Sequence, residues 1–376
     1  MPERTETLLR EIIAIPSVNP AFLPANDHRG GERNMAEFLC KRAAESGLDV
    51  SWQTVLPGRS NLVVRLKPTG KPTHKVVLAP HLDTIGNAAM PDSCFEPRVR
   101  NGRLYGRGAC DTKGSVAAMF TALCELAETG SYPRKTELVF AGLIDEENAQ
   151  EGSRAFSAQK ANLAIVGEPT DLKVVTAHKG DLWIRLICRG KAAHGSRPEL
   201  GKNAVHEAAR VVDVLETKYA KLLRKRKHPL LGPATVNVGS IHGGTQPNIV
   251  PDYCEIQVDR RTIPGEKDAT VLREIVDFIK NAGFKVELVN SKGKHCMPME
   301  TKPNPLINQL MELSAQPAPI GVDYFCDAAI LSAGGTPSVV FGPGNIAQAH
   351  TADEWISLRS LEEATRILTR FLHSLP

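Results

Sequence analysis

Apolar residues recur at helical spacing over Thr5 to Ile15 and Arg33 to Ser46, the latter followed by a capping Gly47. The same spacing predicts a long helix over Lys113 to Glu128, stopped by Gly130. Between these lie short unbroken apolar runs, Val76 to Pro80, Leu138 to Ile144 and Leu163 to Val166, which suit strands buried on both faces. This alternation predicts an α/β domain with a central mixed, mostly parallel sheet flanked by helices. From about Leu182 the texture changes. A strand over Trp183 to Cys188, a helix over Asn203 to Lys221, and period-two strands over Thr235 to Gly239 and Cys254 to Asp259 precede a helix over Lys267 to Ala282 and a strand over Phe284 to Val289. The order β-α-β-β-α-β is that of a ferredoxin-like α+β sandwich. After about Ser291 the α/β texture returns, with Pro337 to Gly342 as a buried strand. The expected organisation is one domain of residues 1–180 and 292–376, with residues 181–291 inserted as a second.

Composition changes this picture little. The 376 residues are 42% hydrophobic and 23% charged, ordinary values for globular chains. A net charge of +4 gives no reason to expect nucleic-acid binding, and the basic run Lys221 to Lys227 reads as a solvated helix end. No apolar run is long enough for a membrane helix, and the polar N-terminus lacks a secretory signal. Eight scattered cysteines without a C-x-x-C pair read as reduced core residues, so a cytoplasmic protein without membrane or nucleic-acid partners is expected.

The candidate chemistry lies at the ends of the predicted strands, where α/β sheets build their sites. His81 and Asp83 follow the strand ending at Pro80, and Asp111 directly precedes the long helix. Glu146 and Glu147 follow Ile144, Glu168 follows Val166-Gly167, and His350 lies a short loop after Phe341 to Gly344. Singly, each has an ordinary reading: Asp111 a helix cap, Glu168 a turn residue, His350 a surface histidine. Jointly, charges converging from apolar strands need a partner, and a metal supplies one. Two histidines with several carboxylates suit two divalent ions sharing one bridging carboxylate. Zinc is the first expectation, with cobalt or manganese as alternatives.

These residues fall in blocks that carry a resemblance. They are His81-Leu82-Asp83-Thr84, Gly106 to Gly114, Asp145-Glu146-Glu147, Gly167-Glu168-Pro169-Thr170, Ala193 to Pro198, and Gly342-Pro343-Gly344 with Ala349-His350-Thr351 and Glu354. In this order they resemble the dinuclear-zinc family of acetylornithine deacetylase, succinyl-diaminopimelate desuccinylase, aminoacylase and the glutamate-releasing carboxypeptidases. The resemblance implies a zinc-peptidase catalytic domain with an inserted lid and dimerisation domain, and a homodimer. It implies one metal on His81, Asp111 and Glu168 and another on Asp111, Glu147 and His350. Asp83 would orient the His81 ring, Glu146 would be the general base, and His194 of the small domain would meet the developing oxyanion.

Candidates for gripping the substrate carboxylate are Asn248, one arginine of Arg260-Arg261, and backbone N–H groups near Gly342 and Gly344. The family spacing D-x-R favours Arg261. The segment Tyr324 to Asp327, followed by Gly342 to His350, is similar to acetylornithine deacetylase, with Asp327 either a partner for a cationic side chain or a helix cap. Hydrolysis of a small N-acyl amino acid, acetylornithine foremost, is thus expected. Alternatives are a dipeptidase or carboxypeptidase, a desuccinylase, and a relative that binds metal or ligand without catalysis.

Overall fold

The computed structural model describes residues 2–289 and 295–376; the expected start of the third segment near Ser291 lies outside them. The chain forms two compact units, one of Met1–Thr176, Thr301–Ile320 and Cys326–Pro376, the other of Ala177–Glu300 and Gly321–Phe325.

In the first unit the apolar runs become the parallel centre of a mixed sheet. Thr136–Gly142, His74–Pro80, Leu163–Gly167 and Ser338–Val340 lie side by side in that order. Their register sets Val77 opposite both Val139 and Ala164, and Pro80 opposite Gly167. His81 continues the ladder in a bridge to Leu143. The strands therefore stop together, and the residues that follow each one emerge along a single edge.

The outer strands, added antiparallel to this parallel centre, make the sheet mixed. Asp49–Leu56 and Arg59–Leu66 form a hairpin whose turn is made by Gly58 at φ 72°, and it joins Thr136–Gly142 antiparallel, Leu62 facing Gly142. The helix Lys113–Glu128 is buried over nearly all its length, beneath the helices Pro2–Ile13 and Leu358–His373. Leu9, Ile12 and Ile13 of the first and Leu361, Leu368 and Leu372 of the last share its core.

The second unit is a four-stranded antiparallel sheet in the order Thr235–Gly243, Tyr253–Thr262, Gly180–Arg189, Glu287–Val289. Ranked by chain position this is 2-3-1-4, the ferredoxin-like arrangement. Ile184, Leu186, Ile256 and Val258 project from one face onto Ala208, Val211, Ile275 and Ile279 of the helices Ala204–Asp213 and Asp268–Asn281. The first of these helices continues through a π turn, Val214–Tyr219, before Ala220–Leu223.

His178 is fully buried in this unit, its Nδ1 2.8 Å from the Lys179 carbonyl oxygen, and burial pushes its pKa down to about 4. The folded ring therefore stays neutral while the unfolded ring protonates below its ordinary value of 6.5. The associated stability is complete above pH 6.5 and drains away as the pH falls towards 4. At ~1.4 kcal/mol per unit of pKa difference the loss is about 3 kcal/mol. Urea unfolding at pH 7 and pH 4.5 should show wild type losing more stability than His178→Gln; equal losses would remove His178 as the cause.

Candidate metal centre

Five side chains converge at the edge where the parallel strands end. His81 leaves the strand His74–Pro80, and its Nδ1 lies 2.9 Å from the carbonyl oxygen of Asp83. With its proton donated there, a neutral ring turns the Nε2 lone pair inward. That nitrogen is 3.2 Å from Asp111 Oδ1 and 3.8 Å from Glu168 Oε1. On the other side, His350 Nε2 lies 3.3 Å from Asp111 Oδ2 and 3.2 Å from Glu147 Oε2. The two oxygens of Asp111 thus face two histidines, each accompanied by one further glutamate. Donor atoms placed tetrahedrally about a zinc ion at ~2.0 to 2.1 Å lie about 3.3 Å apart, which is the spacing found here.

Two buried oxygens, Glu147 Oε1 and Glu168 Oε1, have no hydrogen-bond partner among the described residues. Orphaned carboxylate oxygens of this kind are costly unless a cation meets them. The residues therefore fit a divalent metal. Burial and the neighbouring Asp111 push the Glu147 carboxyl up to about 7. Burial pushes Glu168 far above the carboxylate range, and burial together with the Glu168 charge does the same to Glu146. Burial opposes a charge on His81, yet Asp111, Asp83 and Glu168 outweigh it and raise its pKa well above the usual value. His350, half-exposed, is raised to about 10 by Asp111 and Glu147. Without metal the cluster holds protons; a metal ion must displace them, so uptake weakens in acid.

Glu146 stands beside this array, within 4.8 Å of donor atoms of both His81 and Glu168. Its backbone reveals what the H-x-D spacing did not. The Asp83 carboxylate accepts the N–H groups of Glu146 and Glu147, each at 3.1 Å, while its nearer oxygen is 3.5 Å from His81 Nδ1. The carbonyl of Asp83 makes the closer contact to the His81 ring, and its carboxylate, beside the same ring nitrogen, also aims the two glutamates.

Asp111 is secured with similar care. The buried Glu354 carboxylate accepts the N–H groups of Gly108, Cys110 and Asp111 and the Arg107 guanidinium, at 2.8 to 2.9 Å. Thr112 donates its hydroxyl to the Gly167 carbonyl, tying this loop to the strand that delivers Glu168. Lys113, buried, donates to the carbonyls of Ile12 and Ile15 at the end of the first helix. Glu354 entered the sequence reading only as part of a matched block; a lone glutamate in a loop carries no signal of four partners.

The expectation of free glycine N–H groups is corrected. The Gly344 N–H is taken by Ser360 Oγ at 3.2 Å and that of Gly342 by Thr170 Oγ1 at 3.1 Å, so neither is left for a ligand. Gly344 instead has φ 88°, and a Cβ there would lie 2.6 Å from Cys110 Sγ; it lets its loop press against the Asp111 loop. Asp327, 1% exposed at the N-terminus of the helix Ala328–Ala333, accepts from Ser153 Oγ at 2.6 Å and Gln150 Nε2 at 3.2 Å, while its Oδ2 has no hydrogen-bond partner among the described residues.

The second unit gathers other expected residues. The short strand Ala193–His194 pairs with Ile249–Val250, and the Gly195 N–H reaches the Asn248 carbonyl at 2.7 Å, so His194 and Asn248 are neighbours. Ser196 N–H donates to His194 Nδ1, which leaves the neutral ring's proton on Nε2. Arg260 is fully buried against Glu266, whereas Arg261 is partly exposed, with its Nε 3.1 Å from Asp259.

Residues 77–374 match the model of peptidase family M20/M25/M40. The chain belongs to this family. It is accordingly a metallohydrolase, and amide hydrolysis is the chemistry of its relatives. An acetylornithine deacetylase of Vibrio cholerae is 29% identical over 373 residues, 94% of this chain and 95% of its own. Among solved structures, the aminopeptidase PepT of Bacillus cereus superposes with a TM-score of 0.80 at 20% identity, covering 99% of this chain and 98% of its own. A Bacillus subtilis protein described as a dinuclear metal binding peptidase gives 0.73 at 14% identity, covering 99% and 97%. No helix among the described residues of this M20 chain is long and apolar enough to cross a membrane.

Proposed function

We propose that the chain deacylates a small N-acyl amino acid, acetylornithine foremost, with two divalent ions bridged by Asp111. The carrying observation is the pair of histidine–carboxylate sets, His81 with Glu168 and His350 with Glu147, meeting on opposite oxygens of one aspartate. Zinc fits the mixed imidazole and carboxylate donors, with cobalt or manganese as substitutes. Metal bound there supplies a lowered water pKa and polarisation of the substrate carbonyl. Glu146 takes the proton from the attacking water and hands it to the leaving amine nitrogen. His194, with its proton on Nε2, donates to the oxyanion. Asn248 and Arg261 hold the substrate carboxylate. In this reading the enzyme is a cytoplasmic homodimer, and the similarity to deacetylases over nearly the full length supports the acyl substrate.

The test is a panel of acetylornithine, acetylmethionine, succinyl-diaminopimelate and a dipeptide, assayed with added zinc or cobalt. Acetylornithine should lead in kcat/KM by about tenfold or more, the discrimination a pocket gains from ~1.4 kcal/mol of differential binding. A dipeptide that leads instead would move the substrate reading to the peptidases and leave the metal centre standing. Absence of any turnover in metal-loaded protein would favour a binding relative.

A further inference from the structure

The two glutamates of the centre leave the sheet through an unusual residue. Asp145 is buried and adopts φ 67°, a left-handed conformation disfavoured for any residue with a Cβ. Its backbone carbonyl accepts the N–H of Gln150 at 2.6 Å, closing the turn that contains Glu146 and Glu147. Such a conformation persists where the surroundings over-determine it.

Three side chains do so here. Asp145 Oδ1 accepts from Asn19 Nδ2 at 3.0 Å and from Arg59 Nη1 at 3.1 Å, and the Asp145 N–H donates to Glu32 Oε1 at 3.2 Å. Arg59 also grips Glu32 by Nε at 3.0 Å and Nη2 at 2.5 Å. Asn19 reaches onward to Asp83 Oδ2 at 2.7 Å, the carboxylate that holds the N–H groups of Glu146 and Glu147. Glu32, Asp83 and Asp145 are each 1% exposed, and Arg59 is the cation paired with two of them. A guanidinium can bridge two carboxylates with separate, directed donors; an ammonium meets them as a point charge.

We infer that Arg59 is a positioning residue for the hydrolysis: through Asp145 it holds the left-handed turn from which Glu146 and Glu147 enter the metal centre. The inference rests on the proposed two-metal reading. Removing the guanidinium leaves two buried carboxylates without their cation, and the turn that presents Glu147 to His350 and Glu146 to the substrate relaxes.

The test compares wild type with Arg59→Met, Arg59→Lys and the double variant Arg59→Met/Asp145→Gly, measuring kinetics and the visible absorption of cobalt titrated into metal-free protein. Arg59→Met should lower kcat about 10²-fold, the cost of a displacement near 1 Å, with KM within about threefold of wild type. It should also weaken the second cobalt equivalent, which needs Glu147, about tenfold or more while sparing the first. In the double variant glycine takes the left-handed conformation freely and the orphaned carboxylate within the turn is gone, leaving only that of Glu32, so most of the lost kcat should return. Should Arg59→Met prove insoluble, Arg59→Lys carries the same reading with a smaller loss. Wild-type kcat and wild-type cobalt titration in the single variants would overturn the inference, as would a loss that the double variant leaves unchanged. Wild type that binds one cobalt or none would instead overturn the two-metal reading.

Discussion

In Glu146→Ala, amide hydrolysis should fall about 10³-fold in kcat while two equivalents of metal stay bound. The expectation follows from the partition of the acidic pair. Glu147 Oε2 is 3.2 Å from His350 Nε2 and belongs to the array around Asp111. Glu146 has the neighbouring backbone N–H held by the same Asp83 carboxylate, and burial beside Glu168 keeps its affinity for a proton high. A group with these properties takes a proton readily and stays close to the reacting water. Because donor atoms of Glu146, His81 and Glu168 lie within 4.8 Å of one another, a ligand role is the rival reading, and the two separate cleanly. Elemental analysis of the variant decides: loss of one metal together with activity makes Glu146 a ligand, and unimpaired turnover removes it from the mechanism altogether. Partial recovery on adding a small carboxylate such as formate would mark the missing function as proton transfer.

Asp111→Asn should have the larger effect on metal content. Its oxygens face His81 at 3.2 Å and His350 at 3.3 Å, so one substitution removes a negative donor from both positions. Changes to groups that merely support a ligand cost about 10- to 100-fold in metal affinity, and loss of a shared anionic ligand should cost at least the upper figure at each position. The shape of the side chain is preserved, and Glu354 meets Asp111 through its backbone N–H, so the fold should persist. Glu147→Ala supplies the contrast, weakening chiefly one site. Isothermal titration with zinc reads both. If Asp111→Asn loses one equivalent and keeps the other at wild-type affinity, Asp111 does not bridge.

Much of this architecture is legible in the order of residues because its governing patterns are local. Runs such as Val76 to Pro80 are apolar without interruption since both faces of the strand are covered, and the charged residues that end them mark one edge of the sheet. The hairpin Asp49–Leu66 is less visible. Its outer strand is half-exposed throughout, so neither an apolar run nor a firm alternation announces it. The expected elements also omit Leu358–His373, although Leu361, Ala364, Thr365, Leu368, Phe371 and Leu372 follow a clear helical stripe. At the centre, the five residues that converge around Asp111 are readable as candidates from type and position. Their supports are not: Glu354, Asn19 and Arg59 act through partners far off in the chain, and a glycine such as Gly344 reads equally as a ligand cradle or as a packing contact. Only the packed structure separates those alternatives.

The clamp made by Glu354 has a bearing on how the protein is born. It joins the loop of Asp111 to a segment more than 240 positions later, and Trp355–Ser357 adds a strand against Arg103–Tyr105 at the same place. On a ribosome working from the N-terminus, the whole of the second unit emerges before His350 and Glu354 do. The inserted sandwich, with its own core, can mature while the first unit still lacks its closing piece. Until that piece arrives, His81, Glu147 and Glu168 sit in a nascent chain without the loop that completes them. The candidate metal centre is completed only near the end of synthesis, and a nascent chain arrested before residue 350 would carry the second unit and no competent site.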